Sequence, residues 1–487
     1  MSEVIEQVRR EEGGSVHAIA GNVAGAAIPL GRQHRFGQSS LVLALLSPFL
    51  ALRLESVQKI LFAIVILDIP FQIGTTFFHR PADAELGAFR GLSISVTTLA
   101  LVGLYASWFI AALATRNVRQ RARLHVNRPL TLYLAFVTLS LFVAQDISLS
   151  LFELFLFLQL YLVYLYVANT VRNRQDILFV VSVLLVGGLL ESIVIVVLRF
   201  TNVESTVLGP VHIFIESNGK RGWMRIGGTT GVPNIAGAYL SILLALAAGL
   251  LFSNLGRAYK WLAVALLGLG EVALIFTFSR GAWIALFVAV GALGVVVWRQ
   301  RTLSFRVPIA IFSILMFLYF PFSDAISARL FGDDNGSAES RIPLVNLASR
   351  IIEDNPILGV GSNNFTVAME RYLTPEFRNG RAFLFAVHNK YLLVWAETGI
   401  GGLLAFLAFL AGSLRTGWQC WKVQDPLLSP LALGLTAGIA GHMVHLTVDH
   451  FRSRPTQQLL WLIAGLLVAM YRICTDSQCA DPLSSIT

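Results

Sequence analysis

Long apolar runs separated by short polar connections set the rhythm of this chain. Runs long enough to span a bilayer lie near 57–77, 90–114, 129–145, 148–170, 176–200, 233–253, 259–278, 281–299, 306–322, 389–413, 429–447 and 456–472. A membrane helix needs about 20 mainly apolar residues, so the pattern predicts an all-α, polytopic transmembrane helix bundle of about 12 helices. The runs do not alternate apolar with polar positions, which excludes a transmembrane β-barrel. The segment 39–53 is apolar but short and carries Pro48, and it fits a partial or interfacial helix. No internal repeat of the kind built into many transporters is visible.

The polar connections orient the bundle. Loop 115–128 is densely basic; 171–175 carries Arg172 and Arg174, 254–258 carries Arg257, 300–305 carries Arg301, and 414–428 carries Arg415 and Lys422. These are alternate loops, so they share one side, and an excess of Lys and Arg marks that side as cytoplasmic. The opposite loops then face the periplasm. Two of them are long, 201–232 and 323–388, and long loops in compact proteins tend to be functional. Loop 323–388 contains the apolar stretches Ile342 to Ile352 and Phe383 to Val387, which predict short helices packed over the bundle. The organisation expected is a cytoplasmic tail 1–38, a first bundle part 39–322, the long periplasmic loop 323–388, a second bundle part 389–472 and a cytoplasmic tail 473–487.

Composition agrees with a membrane protein. Of 487 residues, 55% are hydrophobic and 13% charged, against about 25% charged in a typical soluble domain. The mean hydropathy is +0.69. The formal charge of +9 fits basic cytoplasmic loops, and no nucleic-acid partner is expected from it. The three cysteines, Cys420, Cys474 and Cys479, form no CxxC pair and fall near the cytoplasmic face, where thiols stay reduced. The polar first 38 residues lack the features of a cleavable signal peptide.

Candidate chemistry lies on the side from which positive charge should be expelled. Lys220, Arg221 and Arg225 lead into a glycine-rich turn that opens a helix at Pro233. Backbone N–H groups and the helix dipole favour an anion there, and an arginine adds a bidentate phosphate partner. Ser279-Arg280-Gly281-Ala282 joins two spans so tightly that Arg280 must sit at the membrane surface, as an anchor or as a phosphate clamp. His388, with Asn389, opens the helix after the long loop and can exchange protons near neutral pH. His442, His445, Asp449 and His450 cluster near the end of another span, and a polar cavity lining fits them better than a metal site. Asp333 and Asp334 fit a solvated turn. Walker A, Rossmann and HExxH motifs are missing, so neither a nucleotide-driven motor nor a nicotinamide enzyme is supported.

Taken in order, these motifs resemble the O-antigen ligase/polymerase superfamily of bacterial polysaccharide assembly. Arg225-x-x-Gly228-x-x-Gly231-x-Pro233-Asn234, Ser279-Arg280-Gly281-Ala282, Asn355-Pro356-Ile357-Leu358-Gly359-Val360-Gly361 with Asn364-Phe365, and His388-Asn389-x-Tyr391-Leu392 with Glu397-x-Gly399 carry the resemblance, clearest from about residue 220 to 405. Val232 departs from the family's pattern, where Asn is common before the proline. The resemblance implies a GT-C-like, metal-independent membrane glycosyltransferase without a cofactor. It would take glycan from an undecaprenyl-diphosphate carrier and pass it to lipid A-core or a growing glycan at the periplasmic face of the inner membrane. By that analogy Arg225 and Arg280 hold the diphosphate and His388 serves the acceptor hydroxyl, with Lys220, Arg221, Asn234, Asn389 and Glu397 assigned to substrate binding. The short His-Asn motif and the single long loop favour a ligase over a polymerase.

A lipid-linked glycan flippase or another transporter is the competing class. It would use acids within the spans, and Glu153, Glu191 and Glu271 are the notable ones.

Overall fold

The structure is a computed structural model that describes residues 55–80, 88–89, 91–114, 124–201, 206–208, 211–218, 223–299, 341–373 and 385–480, with 323, 324 and 327 singly. The chain divides into two units, Met1–Ser56 and Val57–Thr487; the description below is of the second. The tail 1–38, segment 39–53, the span 306–322, Asp333, Asp334, Lys220 and Arg221 lie outside the described residues.

Among the described residues the fold is mostly helical. Long helices are α1 (55–71), α2 (Val96–Ala114), α3 (Arg128–Ser140), α4 (Ile147–Thr170), α5 (Arg174–Thr201), α6 (Pro233–Leu251), α7 (Arg257–Phe276), α8 (Arg280–Arg299), α9 (Arg341–Asp354), α11 (Lys390–Lys422), α12 (Leu428–His445) and α13 (Arg454–Ala480); α10 (Phe365–Ala368) is a single short turn. Seven of the described helices are long and apolar enough to cross a membrane. The chain is thus a multi-pass membrane protein.

Two expected spans are shortened by strands. Gly74–Phe77 (β1) pairs antiparallel with Leu92–Ser95 (β2), so α2 starts only at Val96. The serines and β-branched residues of this stretch fit a pleated ribbon better than a helix end. A further antiparallel sheet forms from β3 (Thr206–Leu208), β4 (Val211–Asn218) and β5 (Trp223–Gly228), and β5 runs directly into the turn before α6.

Helix α6 is the central post, buried along 89% of its apolar window. Small residues permit this. A Cβ on Gly249 would lie 2.8 Å from Gly434 Cα, so α6 and α12 pack backbone to backbone. Hydrocarbon supplies little hydrophobic drive between helices, so such close van der Waals contact is what joins them. Outward-facing apolar side chains such as Phe142, Phe287 and Leu99 form a lipid-facing surface. Trp261 and Trp298 sit beside Arg257, Lys260 and Arg299 at one end of α7 and α8, the arrangement of an interfacial aromatic belt.

Helix α9 belongs to the connection before α11. It buries Leu344, Leu347, Ala348, Ile351 and Ile352 against Phe365, Met369, Val387 and Leu393. The segment that follows, Asn355 to Asn364, is fastened at a break in α11. Gly399 has φ 71° and ψ −176°, which splits α11 into 390–398 and 400–422. Backbone N–H groups of Val360 and Gly361 donate to the carbonyls of Ala396 and Glu397 at 2.9 and 3.0 Å, and Ile400 N–H donates to Pro356 O at 2.9 Å. The broken turn thus satisfies its own orphaned groups by borrowing those of the loop.

Candidate functional site

The motifs of Arg225 and His388 meet at Asp449, and the Ser279–Ala282 motif packs beside them. Strand β5 carries Arg225 to the mouth of the bundle. Its Nη2 donates to Asn234 Oδ1 at 2.6 Å and its Nε to Thr277 O at 3.2 Å. Asn234 sits in the first turn of α6 because Pro233 takes the N1 position. Its Nδ2 donates to Asp449 Oδ2 at 2.8 Å. The other oxygen, Oδ1, lies 3.7 Å from His388 Nδ1. The line Arg225–Asn234–Asp449–His388 therefore runs from the glycine-rich turn, through the segment after α12, to the start of α11.

Val232, the departure from the family pattern, is the N-cap of α6 and offers no side-chain cap. The turn is held from below. Glu191, within α5, accepts from Thr229 N at 3.0 Å and from the Thr229 hydroxyl. Glu153 likewise accepts from the Ser362 hydroxyl. Two of the three membrane acids are thereby partners of the site's loops. Glu271 Oε2 is buried and has no hydrogen-bond partner.

Arg280 is the first residue of α8 and is half-buried. The residue two before it, Phe278, has φ 47°, a strained conformation for a bulky side chain that makes the connection from α7 abrupt. Gly281 is required by the neighbour: a Cβ there would strike the His445 ring. His442 and His445 pack on Phe451, with ring centroids 5.1 and 4.6 Å away. Asp449 and His450 face His388.

His388 is half-buried, and its ring stacks on His450 at 5.3 Å and 23°. Its buried Nδ1 has no partner at hydrogen-bond distance, so Asp449 stands just beyond contact. Burial alone would raise the Asp449 carboxyl, but His388, His450 and His445 hold it well below the usual carboxylate range. Burial pushes His450 down to about 3, against the pull of Asp449. The neutral His450 accepts the Arg452 N–H at its Nδ1, 3.3 Å away.

Asn389 caps α11, its Oδ1 accepting from Tyr391 N and Leu392 N at 3.0 and 3.1 Å. Glu397 is buried and accepts from Arg452 and, at 3.1 Å, from Phe365 N. With Asn234, three of the five residues assigned from sequence to substrate binding have side-chain atoms engaged inside the protein; the other two, Lys220 and Arg221, lie outside the described residues.

Arg452 escapes sequence reasoning altogether. It is buried, paired with Glu397, 4.0 Å from Glu153, and donates to Asn363 Oδ1 at 2.5 Å. Burial disfavours its charge, but Glu397 and then Glu153 outweigh that and raise its pKa. The signal was present: three basic or ionisable residues, His450, Arg452 and Arg454, crowd a short connection that should be poor in positive charge.

Two kinds of chemistry fit this cluster. His388, Asp449 and His450 present ligand atoms within 4.8 Å of one another, a spacing that could hold a divalent cation. A histidine with a carboxylate 3.7 Å from its ring, linked through Asn234 to Arg225, suits proton exchange next to a phosphate anion.

Residues 262–407 match the family model described as O-antigen ligase. The match takes in the Ser279–Ala282, Asn355–Phe365 and His388–Gly399 motifs and leaves Arg225, Asp449 and Arg452 outside it. No protein of curated function matches the chain.

Proposed function

We propose, on the premise that the chain belongs through residues 262–407 to the O-antigen ligase/polymerase superfamily, that it is a membrane glycosyltransferase using an undecaprenyl-diphosphate-linked glycan. An acceptor hydroxyl oxygen attacks the anomeric carbon at the periplasmic face. The bond from that carbon to the diphosphate oxygen breaks, and the lipid diphosphate leaves with the electron pair. Arg225 and Arg280 offset the charge that develops on it, which needs neither metal nor nucleotide. His388 takes the proton from the acceptor hydroxyl, and Asp449 orients the ring and steadies its charged form. Asn234, Asn389 and Glu397 are positioning residues. The observation that carries this reading is the line of hydrogen bonds from Arg225 through Asn234 to Asp449, which ends 3.7 Å from His388. A ligase acting on lipid A-core is favoured over a polymerase by the short His-Asn motif and the description of the matched family.

The test is glycan transfer in proteoliposomes holding the purified full chain, lipid-linked donor and acceptor, with EDTA present. Arg280→Ala and His388→Ala should each slow transfer by about 10²-fold or more. Wild-type rates in either correctly inserted variant remove that residue's role. Among the described residues, the buried Glu271 Oε2, which has no hydrogen-bond partner, is the feature that favours transport. Donor moved across the bilayer with no new glycosidic bond would support that reading.

A further inference from the structure

A second polar cleft opens on the far side of the turn that fastens α11. It has a volume of about 360 Å³, within the roughly 300–1,000 Å³ of small-molecule sites. Five of its nine lining residues are polar: Gln145, Asp354, Asn355, Arg371 and Tyr372. They come from the connection between α3 and α4, from the end of α9 and from the segment after it, elements that the site above does not use for chemistry.

The groups are fixed before any ligand arrives. The Gln145 amide oxygen, turned to the guanidinium, accepts from Arg371 at 2.9–3.1 Å. Asn355 Nδ2 donates to Ile351 O at 3.1 Å and to the Tyr372 hydroxyl at 3.3 Å. Tyr372 is half-buried and Asp354 exposed. The lining thus offers an aromatic ring, a carboxylate, two amides and a guanidinium. One cation and one anion cancel, so the cleft has no net charge with which to select an ion. Planar donors and acceptors around an aromatic face match a neutral ring of hydroxyl groups, which presents apolar C–H edges and several O–H donors and acceptors together.

The cleft is also tied to the first site. Asn355 and Val360 line it, and the same turn donates Val360 N to Ala396 O within α11, eight residues beyond His388. A sugar held here would lie against the turn that fastens α11.

We propose that this cleft is a glycan subsite, binding a neutral sugar residue of the saccharide whose transfer is proposed above. The inference rests on that reading for its ligand and not for its geometry.

The experiment uses the full chain in nanodiscs and, as probe, the repeat-unit oligosaccharide released by mild acid from the lipid-linked glycan of the source strain. Saturation-transfer NMR should show contact with sugar ring protons in the wild type and in Tyr372→Phe. Tyr372→Ala and Arg371→Ala should weaken that signal by about fivefold or more. In the transfer assay Tyr372→Ala should raise KM for the glycan with little change in kcat. Arg280→Ala should keep the NMR signal while losing transfer. A wild type that binds the oligosaccharide but transfers nothing would remove the proposed function and leave the cleft standing. Absence of signal in the wild type, equal signals in wild type, Tyr372→Ala and Arg371→Ala, or displacement of the sugar by inorganic phosphate overturns the subsite.

Discussion

Asp449 is the residue on which the site turns, because it accepts from Asn234 and its other oxygen stands 3.7 Å from His388. Asp449→Asn keeps the size and loses the charge that orients His388. Transfer should fall by about 10²-fold or more with KM nearly unchanged, as seen when a carboxylate behind a catalytic histidine is neutralised; a rate within a few-fold of wild type would detach Asp449 from the chemistry. Arg452 is a different case. Removing it leaves Glu397 and Glu153 buried without their counter-charge, a change that costs about 3–5 kcal/mol. Arg452→Ala should therefore lower the melting temperature sharply, and Arg452→Gln with Glu397→Gln should recover part of it. His450 sets a pH dependence. Unfolded, it takes up a proton near 6.5, but folded only near 3. Between those values the unfolded chain binds more protons, so stability is complete above 6.5 and falls as pH drops towards 3. Asp449, held below its ordinary value, adds a loss of the same sign at the acidic end. Thermal scans from pH 7 to 4.5 should show the decline, and His450→Gln should lessen it.

At the level of elements, the break in α11 decides whether the long connection docks. Gly399 is required twice, by its positive φ and because a Cβ would run into the Ile357 carbonyl. Positive φ with extended ψ, a region almost confined to glycine, costs an ordinary residue about 1–3 kcal/mol before any clash is counted. Gly399→Ala should destabilise the protein by more than that and free the Asn355–Gly361 turn, which hydrogen exchange of the Val360 and Gly361 amides would report. Unchanged protection there would show that the docking survives without the glycine. The family resemblance drew attention to this glycine and to the loop motif as separate features. Their hydrogen bonds to each other cross about 40 residues of sequence, a separation over which no periodicity carries information.

For the whole molecule, basic connections and the Trp261 and Trp298 pair lie at the opposite end from His388 in the expected topology. Single cysteines placed in a chain lacking its own three should report this. Thr447→Cys should react with an impermeant maleimide in spheroplasts, and Asn254→Cys only after lysis. The reverse labelling pattern would place the site on the cytoplasmic side. The hydrophobic runs alone determined that the chain is a helical membrane bundle, since a bilayer demands long apolar segments with internally satisfied backbones. Short motifs singled out Arg225, Arg280 and His388, because arginine and histidine stand out where positive charge is scarce. Only the tertiary structure decided that Asn234, Asn389 and Glu397 face inward partners, that Glu153 and Glu191 brace loops, and that Arg452 lies beneath the site. Buried polar groups choose partners by proximity in space, and that proximity exists only once α6, α11 and the segment between α12 and α13 are packed together.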